Sequence, residues 1–351
     1  RLLSLVFGAG VVLAAYFVVA RLLPRHKILA LAAAAFVAFI PQHVAILASV
    51  NNDSLAEMLL GIVLVVAVTY LGNPTAPDYN GTIVPLDESR RPHAAALGGL
   101  AGLAYLTKLT IYLPVTVAVA VAILWRWRQE RRDARWLAGQ IAWAGGLALI
   151  IGGAWWVRNG LIYGWPDVLG QAAHESVVVG QLRTVDLIAD LGPGPYLKAL
   201  LATTFHSFWG QFGWMGVPMP PRVYLLIGVF LVWDTVGLAL LLTRFRDRLP
   251  LIPSQRGGLW VLAGVTFATL FDYAYYNLTF VQFQGRYLYP ALIPLALVIA
   301  LGGWGWVLLI ERWLPDERAV KALAWLPLTA LGWMPLLTVA ALFRFVLPNL
   351  G

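Results

Sequence analysis

The chain has 351 residues, 60% of them hydrophobic and only 12% charged, with a net charge of +8 and no cysteine. Its mean hydropathy is +0.75, whereas soluble domains carry roughly a quarter charged residues, so a water-soluble globular domain is excluded. The missing cysteine excludes disulfide frameworks, thiolate nucleophiles and zinc–thiolate centres. The basic residues lie in short loops and form no continuous stripe, so nucleic acid is not an expected partner.

A membrane-spanning helix needs about 20 mostly apolar residues. By that measure the sequence predicts about ten spans, at 2–20, 28–47, 54–72, 94–107, 110–125, 136–157, 223–243, 258–276, 288–310 and 322–346. Together they form one transmembrane domain over 1–351, an all-α, polytopic bundle. The fourth and fifth spans read as a hairpin turning at Thr107-Lys108-Leu109-Thr110, because one long tilted helix would bury the lysine in hydrocarbon. The stretch 158–222 is the only sizeable region outside the predicted spans. Its Gly-Pro punctuation at 192–195 precedes an aromatic run from Phe205 to Trp214, next to His206, Ser207 and Gln211. That run suits an interfacial helix, with a re-entrant or plain anchoring segment as the other reading. The chain opens at Arg1 with no initiator Met and no signal-peptide features, so a preceding segment is expected.

Orientation follows from the loops. If 21–27, 73–93, 126–135, 244–257 and 312–321 share one side, that side holds 17 of the 25 Lys and Arg residues. The bias makes it cytoplasmic in a multi-pass cell-membrane protein. Of the sequons Asn80-Gly81-Thr82 and Asn277-Leu278-Thr279, the first falls on the cytoplasmic side, and neither carries weight.

Ionisable groups near apolar spans are costly and usually face a cavity or a partner. On the non-cytoplasmic side these are Asp53, Lys108, Arg158, His174, Glu175 and Arg286, with Asn51, Asn52, Asn159, Gln282, Gln284 and Tyr287 nearby. Asp53 reads either as a helix N-cap or as a carboxylate binding a metal or a substrate hydroxyl. Lys108 reads as a snorkelling lysine or as a ligand for lipid phosphate. Arg286, after Gly285, reads as an aromatic-belt anchor or as a bidentate phosphate ligand that glycine lets approach closely. Arg158, after Trp155-Trp156, carries the same two readings. Asp272 and Asp234 lie inside predicted spans and read first as packing contacts, Asp272 bonding a tyrosine or an arginine such as Arg286. The sequence has no Gly-rich phosphate loop, no HExxH and no Gly-x-Ser-x-Gly elbow. No metal-ligand cluster stands out either, and the need for a divalent metal is left open. Sixteen tryptophans fit sugar stacking, but aromatic belts account for most of them more simply.

The order of short motifs then points to a family. They are Arg21-Leu22-Leu23-Pro24, Ala38-Phe39-Ile40-Pro41, Asn51-Asn52-Asp53-Ser54-Leu55-Ala56 and Leu106-Thr107-Lys108-Leu109-Thr110. Trp155-Trp156-Val157-Arg158-Asn159 follows with Tyr163-Gly164, and then Gln284-Gly285-Arg286-Tyr287-Leu288-Tyr289-Pro290. This order resembles the bacterial polyprenyl-phosphate-sugar glycosyltransferases of the GT-C fold, relatives of protein mannosyltransferases and of the lipid A aminoarabinose transferase. The resemblance implies a cell-envelope transferase moving a sugar from a polyprenyl-phosphate carrier to an acceptor at the outer membrane face. It implies a catalytic acid in a first outer loop, placed before Arg1, and a second acidic position matched by Asp53. Lys108 and Arg286 take the role of holding the carrier phosphate, and Arg158, Asn52, Gln284 and Tyr287 fall beside them. His174, Glu175, His206 and Asp272 are further candidates. Two other readings stand beside the enzyme: a transporter or lipid flippase, and a non-catalytic membrane subunit of a larger complex.

Overall fold

A computed structural model describes residues 1–72, 93–178 and 180–350. The loop arginines Arg90 and Arg91 and the sequon at Asn80 lie outside the described residues. The chain opens with α1 (Leu2–Leu22), α2 (Lys27–Ala38), α3 (Pro41–Leu47) and α4 (Asp53–Tyr70). Next come α5 (Ala94–Tyr105), a 3-10 turn at Leu109–Ile111, α6 (Tyr112–Gln129) and α7 (Ala134–Tyr163). A segment of shorter elements follows: α8 (Gln171–Val177), α9 (Thr184–Leu191), α10 (Pro193–Trp209) and the strands β1 (Gln211–Phe212) and β2 (Val217–Pro218). The chain then runs through α11 (Pro221–Thr243), α12 (Pro253–Thr279), a 3-10 turn at Gly285–Ala291 and α13 (Leu292–Ile310). It closes with α14 (Glu317–Leu323), α15 (Leu326–Thr329), α16 (Trp333–Ala341), a π-helical turn and α17 (Leu347–Leu350).

Among the described residues, eight helical segments are long and apolar enough to cross a membrane, and a ninth if the bent pair α2–α3 counts as one. The protein is a helical, multi-pass membrane protein. The span predicted at 28–47 is that bent pair, broken by 68°. Pro41 opens α3 and holds Ile40 extended (φ −75°, ψ 117°), as the proline ring requires of its predecessor. The span predicted at 94–107 is only the 12-residue α5, about 18 Å at 1.5 Å per residue and too short to cross alone. Its break from α6 falls at Lys108, whose backbone is extended (φ −155°, ψ 133°). Helix α7 runs on to Tyr163, so Arg158 and Asn159 belong to it and not to the following segment. The aromatic run at 205–214 is split: α10 stops at Trp209, and Gln211 to Pro218 form a β-hairpin. The last predicted span is a chain of short helices, interrupted at Trp325 and again between Ala330 and Gly332, with Pro327 opening α15.

The core lies where α1, α2, α4, α5, α6, α12 and α13 meet, around Val18, Leu29, Leu64, Leu97, Val115, Val261 and Ala296, all buried. Helices α7 and α11 sit outside it and expose large apolar side chains such as Ile150, Leu161, Leu225 and Leu226. Such faces fit a hydrocarbon solvent, in which association rests on close packing. Helices α11 and α13 touch backbone to backbone, since a Cβ on Gly237 or Gly305 would collide with a carbonyl of the other helix.

Candidate functional site

Three helix ends converge at one end of the bundle. Asp53 begins α4, Lys108 holds the turn between α5 and α6, and Arg286 lies in the turn leading into α13. Asp53 is the first residue inside its helix and not a cap, because Asn52 occupies the cap position. The Asp53 backbone N–H donates instead to Asn51 Oδ1 at 3.0 Å. The carboxylate is therefore free to meet the two neighbouring turns: Lys108 Nζ donates to Oδ1, and Arg286 Nη1 lies 3.8 Å from Oδ2. Asn52 Nδ2 donates to the Thr107 carbonyl at 3.0 Å, stitching the α4 end to the lysine turn across 55 residues.

The charges here do not cancel, since two cations share one carboxylate. At 3.8 Å the arginine is an ion-pair partner and not a hydrogen-bond donor. Its Nε–H is buried with no hydrogen-bond partner, although such donors are usually satisfied. Tyr287 roofs both cations, its ring 5.8 Å from Lys108 Nζ and 5.4 Å from Arg286 Cζ. Burial of the Lys108 ammonium, and then the neighbouring Arg286 guanidinium, pull the lysine pKa down to about 8.

Glycine at 285 has a packing reason. A Cβ there would collide with the Phe208 backbone on α10, and Gly285 N–H donates to Ser207 Oγ at 2.7 Å. The close approach that glycine allows is thus to α10, not to a ligand.

One turn below Asp53 lies a buried pair that the sequence reading missed. His43 is fully buried on α3, with Nδ1 2.8 Å from the Val37 carbonyl and Nε2 2.8 Å from Glu57 Oε2. A carbonyl only accepts, so Nδ1 carries a proton, and one further proton is shared between Nε2 and Glu57. The Tyr289 ring stands edge-on to His43 at 5.1 Å, and its hydroxyl donates to the Phe208 carbonyl at 2.9 Å. This layer ties α3, α4, α10 and the Arg286 turn together. The available signal was the spacing Asp53 to Glu57, which puts two carboxylates on one helix face.

Beside Lys108 opens a cleft of about 110 Å³, lined by Tyr105, Lys108, Tyr112, Trp155, Trp156 and Asn159 among others. Tyr105 also borders an apolar groove of about 200 Å³ between α5, α6 and α7, walled by Ala101, Ala120, Ala144 and Ala148.

The remaining candidates make contacts of their own. Arg158 is exposed, donates to Asn159 Oδ1 at 2.9 Å and lies over Trp155 at 4.7 Å, two residues that line the cleft beside Lys108. Gln284 donates to Gln282 Oε1 at 3.1 Å. Exposed His174 stands edge-on to Phe280 at 6.1 Å, and Glu175 pairs with Arg183 at 3.0 Å. His206 stacks on Tyr224 at 3.9 Å, and partial burial lowers its pKa. Asp272 pairs with neither Arg286 nor a tyrosine among the described residues. The neighbouring Tyr273 bonds Thr204 instead. Asn277 is buried and spends its side chain on the Tyr273 and Gln282 backbones. Among the described residues, no group of three or more His, Asp or Glu is gathered as a metal would require. Comparisons with family profiles, curated proteins and solved structures gave no match.

Proposed function

We propose that the protein is a membrane glycosyltransferase that moves a sugar from a polyprenyl-phosphate carrier to an acceptor at the outer membrane face. The observation that carries this reading is the pairing of Lys108 and Arg286 around the single carboxylate of Asp53. The arginine/lysine bias of the loops predicted at the other side supports an outer location for this end. An amphiphile with an anionic head and an apolar tail suits a cleft that holds Lys108 and shares Tyr105 with an apolar groove.

The carrier is a phosphodiester with one negative charge. During transfer the bond from the anomeric carbon to the phosphate oxygen breaks, and the electron pair stays on the phosphate. A new bond forms from that carbon to the acceptor oxygen, whose proton passes to Asp53. The leaving phosphate monoester gains a second negative charge, so the two cations bind it more tightly than they bind the substrate. Arriving phosphate also draws the cations away from Asp53, leaving that carboxylate a better base.

Arg286→Ala in the full-length protein is expected to lower sugar transfer from a polyprenyl-phosphate donor on the order of 100-fold or more. Unchanged turnover of a radiolabelled donor would remove Arg286, and the proposal, from consideration. A second reading, a transporter or flippase of lipid phosphates, draws on the bent α2–α3 pair, because broken helices mark many transporter sites. Passage of a lipid phosphate across vesicles without any sugar transfer would select it.

A further inference from the structure

The hairpin of β1 and β2 carries a feature that the cationic cluster does not explain. Its strands pair Gln211 with Pro218 and Phe212 with Val217, and the tip between them is Gly213, Trp214, Met215 and Gly216. Three consecutive residues there are left-handed, with φ of 54° at Gly213, 52° at Trp214 and 70° at Met215. Only three non-glycine residues adopt positive φ among the described residues, and two of them are at this tip. That conformation is unfavourable for a side chain bearing Cβ, and it persists only where surrounding contacts enforce it. The contacts are present. Gly216 N–H donates to the Gly213 carbonyl at 3.0 Å, and Gln211 Nε2 donates to the Met215 carbonyl at 2.8 Å. Gln211 N–H donates to Gln42 Oε1 at 2.9 Å, fastening the hairpin to α3.

This scaffold presents one large aromatic ring. Trp214 is 85% exposed, while Phe212 beside it is only 3% exposed and anchors the strand. The indole does not simply project outward: the Arg286 guanidinium lies 5.6 Å from the ring centre. A tryptophan serving only as a membrane anchor gains nothing from a strained tip that aims it at the part-buried Arg286. Tyr287 already roofs both cations, so Trp214 is not needed to shield them. Most of the indole surface is left uncovered beside Arg286.

We infer that Trp214 is the sugar platform of the site, stacking its indole against the carbon–hydrogen face of the hexose carried on the lipid phosphate. This rests on the reading of Lys108 and Arg286 as the phosphate site. Sugar and phosphate share one bridging oxygen, so phosphate on Arg286 brings the sugar beside the ring next to that arginine. The electron-rich aromatic face attracts the weakly positive C–H bonds of a pyranose, while the sugar hydroxyls keep contact with water around the ring.

The test uses full-length protein in phosphatidylcholine nanodiscs, titrated with farnesyl phosphate and with farnesyl-phospho-glucose, -mannose and -galactose. Trp214→Ala is expected to weaken binding of at least one hexose-bearing lipid about tenfold while leaving farnesyl phosphate within about twofold. Trp214→Phe, which keeps an aromatic face, is expected to recover most of the loss. Equal loss for farnesyl phosphate and its hexose derivatives would make Trp214 a support for Arg286 and overturn the platform. No change for any hexose lipid, or loss not recovered by phenylalanine, would overturn it too. If wild-type protein bound no farnesyl phosphate, or Arg286→Ala bound it as well as wild type, the phosphate site itself would fall, and the platform with it.

Discussion

Asp53 and Asp234 are both buried carboxyl groups on long apolar helices, yet their surroundings are opposite. Asp53 stands at a helix end, where segments from three parts of the chain bring Lys108 and Arg286 to its two oxygens. Asp234 stands in the middle of α11, pressed against Gly302 of α13, and its Oδ1 has no hydrogen-bond partner. Beside it Trp306 Nε1–H donates to the Trp233 carbonyl at 2.9 Å, and the two indoles stack at 5.6 Å. The difference teaches that burial alone does not make an acid a site. Convergent groups that can bind something else do.

The contrast can be broken most sharply at Asp53. Asp53→Asn keeps the shape of the side chain but removes the charge that holds two cations and the oxygen that would take a proton. Transfer is expected to drop on the order of 100-fold or more, read as turnover of a radiolabelled donor. Retained turnover would reduce Asp53 to a packing role and erase its distinction from Asp234. A large effect on stability is expected one turn below. Glu57→Ala leaves His43 buried without its partner, and loss of one member of a buried pair costs about 3 kcal/mol, measured as a lowered unfolding midpoint in detergent.

A pH series sharpens the comparison further. Lys108 binds phosphate as the ammonium, and its pKa is pulled down to about 8. Farnesyl phosphate is a dianion above its own second pKa of about 6, so affinity is expected to be full between there and about 8 and to fall as pH rises further, by at most about tenfold per unit. Lys108→Arg keeps its charge throughout and should flatten the profile. The smallest effect belongs to the other acid: Asp234→Asn should leave transfer within about twofold of wild type, as substitutions away from a site do. A large loss there would point to a second functional acid and favour the transporter reading.

Much of the helical layout was legible from hydropathy, because each span must satisfy its own backbone in lipid. The break at Lys108 was legible too, since a lysine at mid-helix would sit in hydrocarbon. The bend at Pro41 was available in the sequence but masked by the continuous apolar run through 28–47. The site was less readable. Asp53 looked like a cap because Asn, Asp and Ser crowd the start of α4, and only the fold showed Asn52 in that position. His43 and Glu57 are separated by 14 residues and joined across a helix break, so no local pattern pairs them. His174, Glu175, His206 and Asp272 share a side of the predicted topology with Asp53, but sharing a side does not bring residues together.

By itself the sequence determined that this chain lives in lipid and roughly where its helices cross, because transfer of apolar surface and backbone hydrogen bonding are set locally. The tertiary structure decided which polar residues meet. Lys108 reaches Asp53 across 55 positions, and Arg286 arrives from farther still. Such meetings depend on how helices pack, which apolar periodicity leaves undetermined.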